Sequence, residues 1–141
     1  MHYTLFFHIL ATLSRGAYND YIDKFELVTT PTKSWNDAKT YCENKGTELA
    51  PILRASDIVD INAKRGSQRI YTGVKCSSSG VWNANGPTYV NNSNPNWNSD
   101  EPNSGCGDEK CLEVRTDGKW NDIDCNDQLA FLCGIAICKR E

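Results

Sequence analysis

Cysteine usage constrains this chain more than any other feature. Seven cysteines, Cys42, Cys76, Cys106, Cys111, Cys125, Cys133 and Cys138, stand in 141 residues, all downstream of Gly16. A zinc site takes cysteines in close pairs or together with histidine. Here no pair has two-residue spacing, and the only histidines are His2 and His8. The cysteines therefore read as disulfides formed in an oxidising compartment. The lack of histidine beyond His8 also excludes Ser-His-Asp and Cys-His catalysis and catalytic zinc held by imidazole.

The N-terminus agrees with that compartment. Leu5 to Leu13 form a short apolar run followed by Ser14-Arg15-Gly16, which resembles a secretory signal peptide cleaved after Gly16, too short to span a membrane. The other reading is an N-terminal strand or helix packed on the domain. Residues 17–141 then form one domain, long enough to bury a core without a metal, secreted and extracellular, with no membrane insertion. The formal charge of −3 argues against a nucleic-acid partner, which needs a basic face.

Charge distribution says more than net charge. No Asp or Glu occurs from Ile61 to Ser99, whereas nine of the eighteen acids lie between Asp100 and Asp127. Crowded carboxylates repel one another unless a cation neutralises them. Within Glu101 to Cys125 the oxygen-bearing side chains form three groups: Glu101 with Asn103, Asp108 with Glu109, and Asn121 with Asp122. A bridge between Cys111 and Cys125 would bring the last two together. Ca²⁺ takes about 6–8 such oxygens at roughly 2.3–2.6 Å, and a cis peptide before Pro102 would turn Glu101 and Asn103 to the same side.

The spacing of local elements is legible. A strand is expected near Lys24 to Val28. A helix follows, capped by Ser34, with Trp35, Ala38, Tyr41 and Cys42 on one face and Gly46 as its stop. A second helix is expected from Ser56 to Lys64, capped by Ser56, with Ile58, Val59 and Ile61 apolar. Strands are expected at Arg69 to Val74, Cys111 to Arg115, Lys119 to Trp120 and Ala130 to Cys133, with a hairpin turn at Asp117-Gly118. From Cys76 to Gly107 the chain is irregular; a loop of that length in a small domain is usually functional or disordered, and the interspersed aromatics and the oxygen-rich pattern at its end favour functional. Trp82, Tyr89 and Trp97 read as anchors of this loop more than as platforms for a sugar.

The Glu101-Pro102-Asn103 tripeptide, Glu109 two residues before Cys111, and Trp120-Asn121-Asp122 together resemble the long-loop and C-terminal region of the C-type lectin-like domain family, in its short form. The pattern of Trp35, Ala38, Cys42, Gly46, Leu49 and Ala50 is similar to the family's first helix and following turn, and Tyr71-Thr72-Gly73-Val74 is a degenerate version of its Trp-Ile-Gly-Leu strand. The resemblance implies an α+β fold of two helices, small antiparallel sheets and a long calcium-binding loop. It also implies disulfides Cys42–Cys133 and Cys111–Cys125. Cys76 and Cys106 flank the loop and are paired with each other; pairing of either with Cys138 stays open, and an unpaired Cys138 offers a route to a homodimer.

By the same resemblance, Glu101, Asn103, Glu109, Asn121 and Asp122 hold one Ca²⁺. Glu101, Asn103, Glu109 and Asn121 also bind sugar hydroxyls, and Glu-Pro-Asn goes with mannose-type glycans carrying mannose, glucose, N-acetylglucosamine or fucose. A second ion is not expected, because no acid lies between Gly73 and Ser99. A glycosidase role for Glu101 and Glu109 is set aside because the metal uses both carboxylates, so the chain is not read as an enzyme. The alternative is a lectin-like fold that binds protein, lipid or ice without sugar. Asn91-Asn92-Ser93 is an N-glycosylation sequon.

Overall fold

A computed structural model describes residues 25–82 and 89–134; the expected signal peptide and Cys138 lie outside the described residues. Among these residues the order is β1 (Phe25–Lys33), α1 (Trp35–Asn44), β2 (Glu48–Leu49), α2 (Ala55–Arg65), β3 (Ile70–Lys75), β4 (Cys111–Val114), β5 (Trp120–Ile123) and β6 (Leu129–Gly134). The strands form one sheet in the order β1-β6-β3-β4-β5, with β2 pairing β6. No helix of the described residues is long and apolar enough to cross a membrane.

The sheet differs from the small antiparallel sheets expected. It is single and mixed, because β3 runs parallel to β6, with Ile70 opposite Ala130 and Tyr71 opposite Phe131. Central strands are covered on both faces and lose the alternation that marks a half-exposed strand. Accordingly all six residues of β6 are buried. β1 is longer than expected and runs through Pro31, which an edge strand tolerates because its outward N–H needs no ladder partner. Its register with β6 shifts between Val28 and Lys33.

α1 begins as its sequence implies. The Ser34 hydroxyl accepts from the Asp37 backbone N–H at 3.3 Å, and Trp35, Ala38 and Cys42 face the core. Trp35 donates its indole N–H to the Thr72 carbonyl at 2.9 Å, tying α1 to β3. α2 departs from expectation at its start. It begins at Ala55 rather than being capped by Ser56, because the buried Asp57 carboxylate reaches back to the N–H groups of Leu53 (2.9 Å) and Arg54 (3.1 Å). An acid in the first turn also suits the positive helix end. Ile61 is buried and Ile58 partly so, but Val59 is exposed.

All three expected disulfides are present, Cys42–Cys133, Cys76–Cys106 and Cys111–Cys125. They tie α1 to β6, the start of the long loop to its end, and β4 to the segment after β5. Apolar side chains pack on both sides of the sheet. One cluster joins Trp82, Val90, Trp97, Leu112 and Trp120 beneath the long loop, and the other joins Trp35, Cys42, Tyr71 and Phe131 beneath α1.

Gly73 marks the closest approach between backbones. Its N–H donates to the Ala50 carbonyl at 2.8 Å, and a Cβ there would lie 2.6 Å from the Leu49 carbonyl oxygen. Neither backbone can yield without breaking the pairing around β2. Gly73→Ala is therefore expected to destabilise the domain by about 1–3 kcal/mol, measured as a lower midpoint in chemical denaturation.

Candidate functional site

The site is built where the long loop meets β5, the edge strand of the sheet. Trp97 is the hinge of that contact. Its ring packs 5.1 Å from Trp82 and 5.6 Å, edge on, from Trp120, and its indole N–H donates to the Asn91 carbonyl at 2.8 Å. Backbone bonds complete the seam, from Asn98 N–H to the Trp120 carbonyl (2.9 Å) and from Trp120 N–H to the Asn96 carbonyl (3.0 Å). The buried Trp82 and Trp97 thus hold the loop, as the sequence reading favoured. Exposed Asn91 sits on the same loop, its side-chain oxygen accepting the Ser93 N–H at 2.9 Å.

Once the loop is seated, three of the expected residues converge. Asp122 is 1% exposed, and its two carboxylate oxygens accept the N–H groups of Asn103 (3.2 Å) and Ser104 (2.9 Å). The Glu101–Pro102 peptide is cis. The Glu101 carboxylate accepts both the Asn103 backbone N–H (3.1 Å) and the Asn103 side-chain amide (3.2 Å). A single N–H is thereby shared between two carboxylates. Glu109 joins this group indirectly, its N–H donating to the Ser104 hydroxyl oxygen at 3.2 Å.

Asn121 is placed differently. Successive residues of a strand point to opposite faces, so Asn121 and Asp122 diverge. The Asn121 amide donates to the Glu113 carboxylate, its direct cross-strand partner, at 2.9 Å. Asp108, Asp124 and Asp127 are exposed, with Asp124 accepting from Asn126 within its own turn. Sequence reasoning gave no role to Ser104, Arg69 or Glu113. Glu113 did leave a signal, a lone charge between Leu112 and Val114 in an apolar strand.

The electrostatics follow from the crowding. Burial, and then the hydrogen bond and negative charge of Asp122, push the Glu101 carboxyl up to about 7. Burial and the charges of Asp122 and the neighbouring aspartates also raise the Glu109 carboxyl. Among the described residues no three His, Cys, Asp or Glu side chains form a metal cage by themselves. The converging donors are two carboxylates and an amide oxygen, all hard ligands suited to Ca²⁺ rather than to a soft metal. The repulsion between those carboxylates is what a cation would relieve, and the donor set fits one.

The family profile described as the Lectin C-type domain matches residues 31–135. The chain belongs to this family. It is a family of lectin domains and not of enzymes. Collectin-10 of Xenopus tropicalis is 32% identical over 117 residues, which cover 79% of this chain and 42% of that protein. The chain thus spans less than half the length of that relative. Among solved structures, the cow CD23 carbohydrate-recognition domain, determined in the presence of a GlcNAc2Man3 oligosaccharide, superposes with a TM-score of 0.66 at 24% identity. That match covers 77% of this chain and 84% of the CD23 domain. A calcium-independent type II antifreeze protein superposes with a TM-score of 0.64, also at 24% identity, over 77% of this chain and 82% of its own. These two likenesses show the fold.

The raised Glu101 carboxyl gives a pH signature. Its folded value, near 7, lies above the ordinary carboxylate value of 4.5, so between those values the folded state binds more protons than the unfolded state. The contribution of this group to stability therefore rises as pH falls from 7 to 4.5 and is lost as pH rises. In buffer free of divalent cations, Glu101→Gln is expected to melt above the wild type at pH 8, with the gap closing by pH 5. Calorimetry across that range checks it, and a gap independent of pH would refute the assignment.

Proposed function

We propose that this domain is a calcium-dependent lectin for mannose-type glycans, with one Ca²⁺ held by Glu101, Asn103, Glu109, Asn121 and Asp122. The observation that carries this reading is the Asn103 N–H shared between the Glu101 and Asp122 carboxylates at 3.1 and 3.2 Å. Two acids brought this close on a disulfide-framed loop suit a divalent cation. Asn121 belongs to the set although it faces away from Asp122, because β5 is an edge strand and residues on either face can reach a ligand seated beyond the edge.

Bound there, Ca²⁺ would supply a Lewis-acidic seat for two vicinal sugar hydroxyl oxygens. The protein's own groups do the discriminating. The Glu101 and Glu109 carboxylates accept the hydroxyl protons, while the Asn103 and Asn121 amides donate to the hydroxyl oxygens. The positions of donor and acceptor around the diol then select the sugar, and the order Glu101 then Asn103 suits mannose, glucose, N-acetylglucosamine or fucose. A single site of this kind binds a monosaccharide weakly, so clustering of sites supplies avidity, and Cys138 offers one route to a dimer. The three disulfides fit secretion to an extracellular setting.

Glycan-array binding with calcium and with chelator tests the reading. Wild type is expected to bind mannose-type glycans only with calcium, Asn121→Ala to lose that binding, and the double substitution Glu101→Gln, Asn103→Asp to shift preference toward galactose. Binding indifferent to chelator would sink the proposal in favour of a calcium-free surface for protein, lipid or ice, the fold being shared with a calcium-independent antifreeze protein.

A further inference from the structure

Glu113 is buried at 2% exposure in the middle of β4, and a buried carboxylate is tolerated only when both oxygens find partners. One accepts from the Arg69 guanidinium Nε at 2.7 Å, just before β3, and the other from the Asn121 amide Nδ2 at 2.9 Å in β5. The three side chains thus form a line across neighbouring strands, with Glu113 directly opposite Asn121 in register. The Arg69 guanidinium has only donors, so the Glu113 oxygen facing it, like the one facing Asn121, acts as an acceptor.

With both Glu113 oxygens accepting, the Asn121 amide turns its nitrogen inward to β4. Its carbonyl oxygen is then the atom left on the side of the amide away from β4. Without Glu113 the two ends of the amide would be nearly interchangeable in shape, and one orientation would present N–H groups where a cation needs an oxygen. We infer that Glu113, braced by Arg69, is a positioning residue that locks the Asn121 amide with Oδ1 toward the cation and one Nδ2 hydrogen committed to the sheet. The second Nδ2 hydrogen stays free for a sugar hydroxyl. The inference rests on the calcium-site reading above and adds to it a buried carboxylate that touches neither metal nor sugar.

The test is a double-mutant cycle with two readouts. Glu113→Gln keeps the shape of the side chain but can donate, so it allows Asn121 to flip. Calcium affinity, measured by titration calorimetry, is expected to fall about 10–100-fold, the usual cost of losing an outer partner of a metal ligand. In an Asn121→Asp background the same substitution is expected to raise affinity, because a carboxylate has no nitrogen to misdirect and Glu113→Gln removes a like charge facing it. A purely structural role would give the same loss in both backgrounds, and that result would overturn the proposal.

The second readout is the Asn121 side-chain amide pair in a nitrogen–proton correlation spectrum of the calcium-free protein, assigned by its loss in Asn121→Asp. One proton is expected downfield and slow to exchange in wild type, and collapsed toward its partner in Glu113→Gln. An amide unmoved by Glu113→Gln would overturn the lock itself. A wild type that shows the downfield proton yet binds no calcium would instead overturn the function proposed above, and with it the metal-directed role of the lock.

Discussion

The contact between Trp97 and Trp120 is the interaction on which the rest of the site depends. The loop from Cys76 to Gly107 has little regular structure of its own, so nothing local dictates where Glu101 and Asn103 lie. Packing of Trp97 between Trp82 and Trp120, with the Cys76–Cys106 bridge closing the loop, fixes it against the edge of β5. Burial of aromatic surface provides the favourable free energy. The backbone bonds at Asn98 and Trp120 then set the register to within one residue. Only with that seam in place can the Asn103 and Ser104 N–H groups meet the Asp122 carboxylate.

The same seam creates the electrostatic tension. Asp122 is buried at the strand edge, and seating the loop brings Glu101 onto the same N–H. Two backbone amides partner Asp122, and burial together with the hydrogen bond and charge of Asp122 raises the proton affinity of Glu101. On the other face of β5 the arrangement is reversed, since Glu113 is fully partnered by a guanidinium and an amide. Neighbouring strands therefore carry one acid, Asp122 of β5, that meets the loop and another, Glu113 of β4, that is partnered within the sheet.

Much of the framework was legible because it depends on spacing along the chain. The Ser34 cap, the Trp35, Ala38 and Cys42 face of α1, the turn at Asp117-Gly118 and the strands that follow it are local patterns. Cys42–Cys133 and Cys111–Cys125 were legible through the resemblance to the C-type lectin family, and Cys76–Cys106 through its place on either side of the long loop, with Cys138 left open as another partner. Val59 was misassigned to the buried side of α2 because three closely spaced aliphatic residues cannot all face one direction on a helix of 3.6 residues per turn. The start of α2 was misplaced because the capping acid lies inside the helix rather than before it.

The sequence by itself determined the chemical inventory: hard oxygen donors concentrated in one stretch, cysteines numerous enough to brace it, and no histidine beyond His8. The tertiary structure alone decided how that inventory is deployed. It put β6 between β1 and β3, parallel to the latter, and brought Arg69, Glu113 and Asn121 into line. It also turned Asn121 away from Asp122. Such choices depend on pairings between distant segments, and the free energy that selects them comes from burying both faces of a central sheet, a quantity that local spacing does not contain.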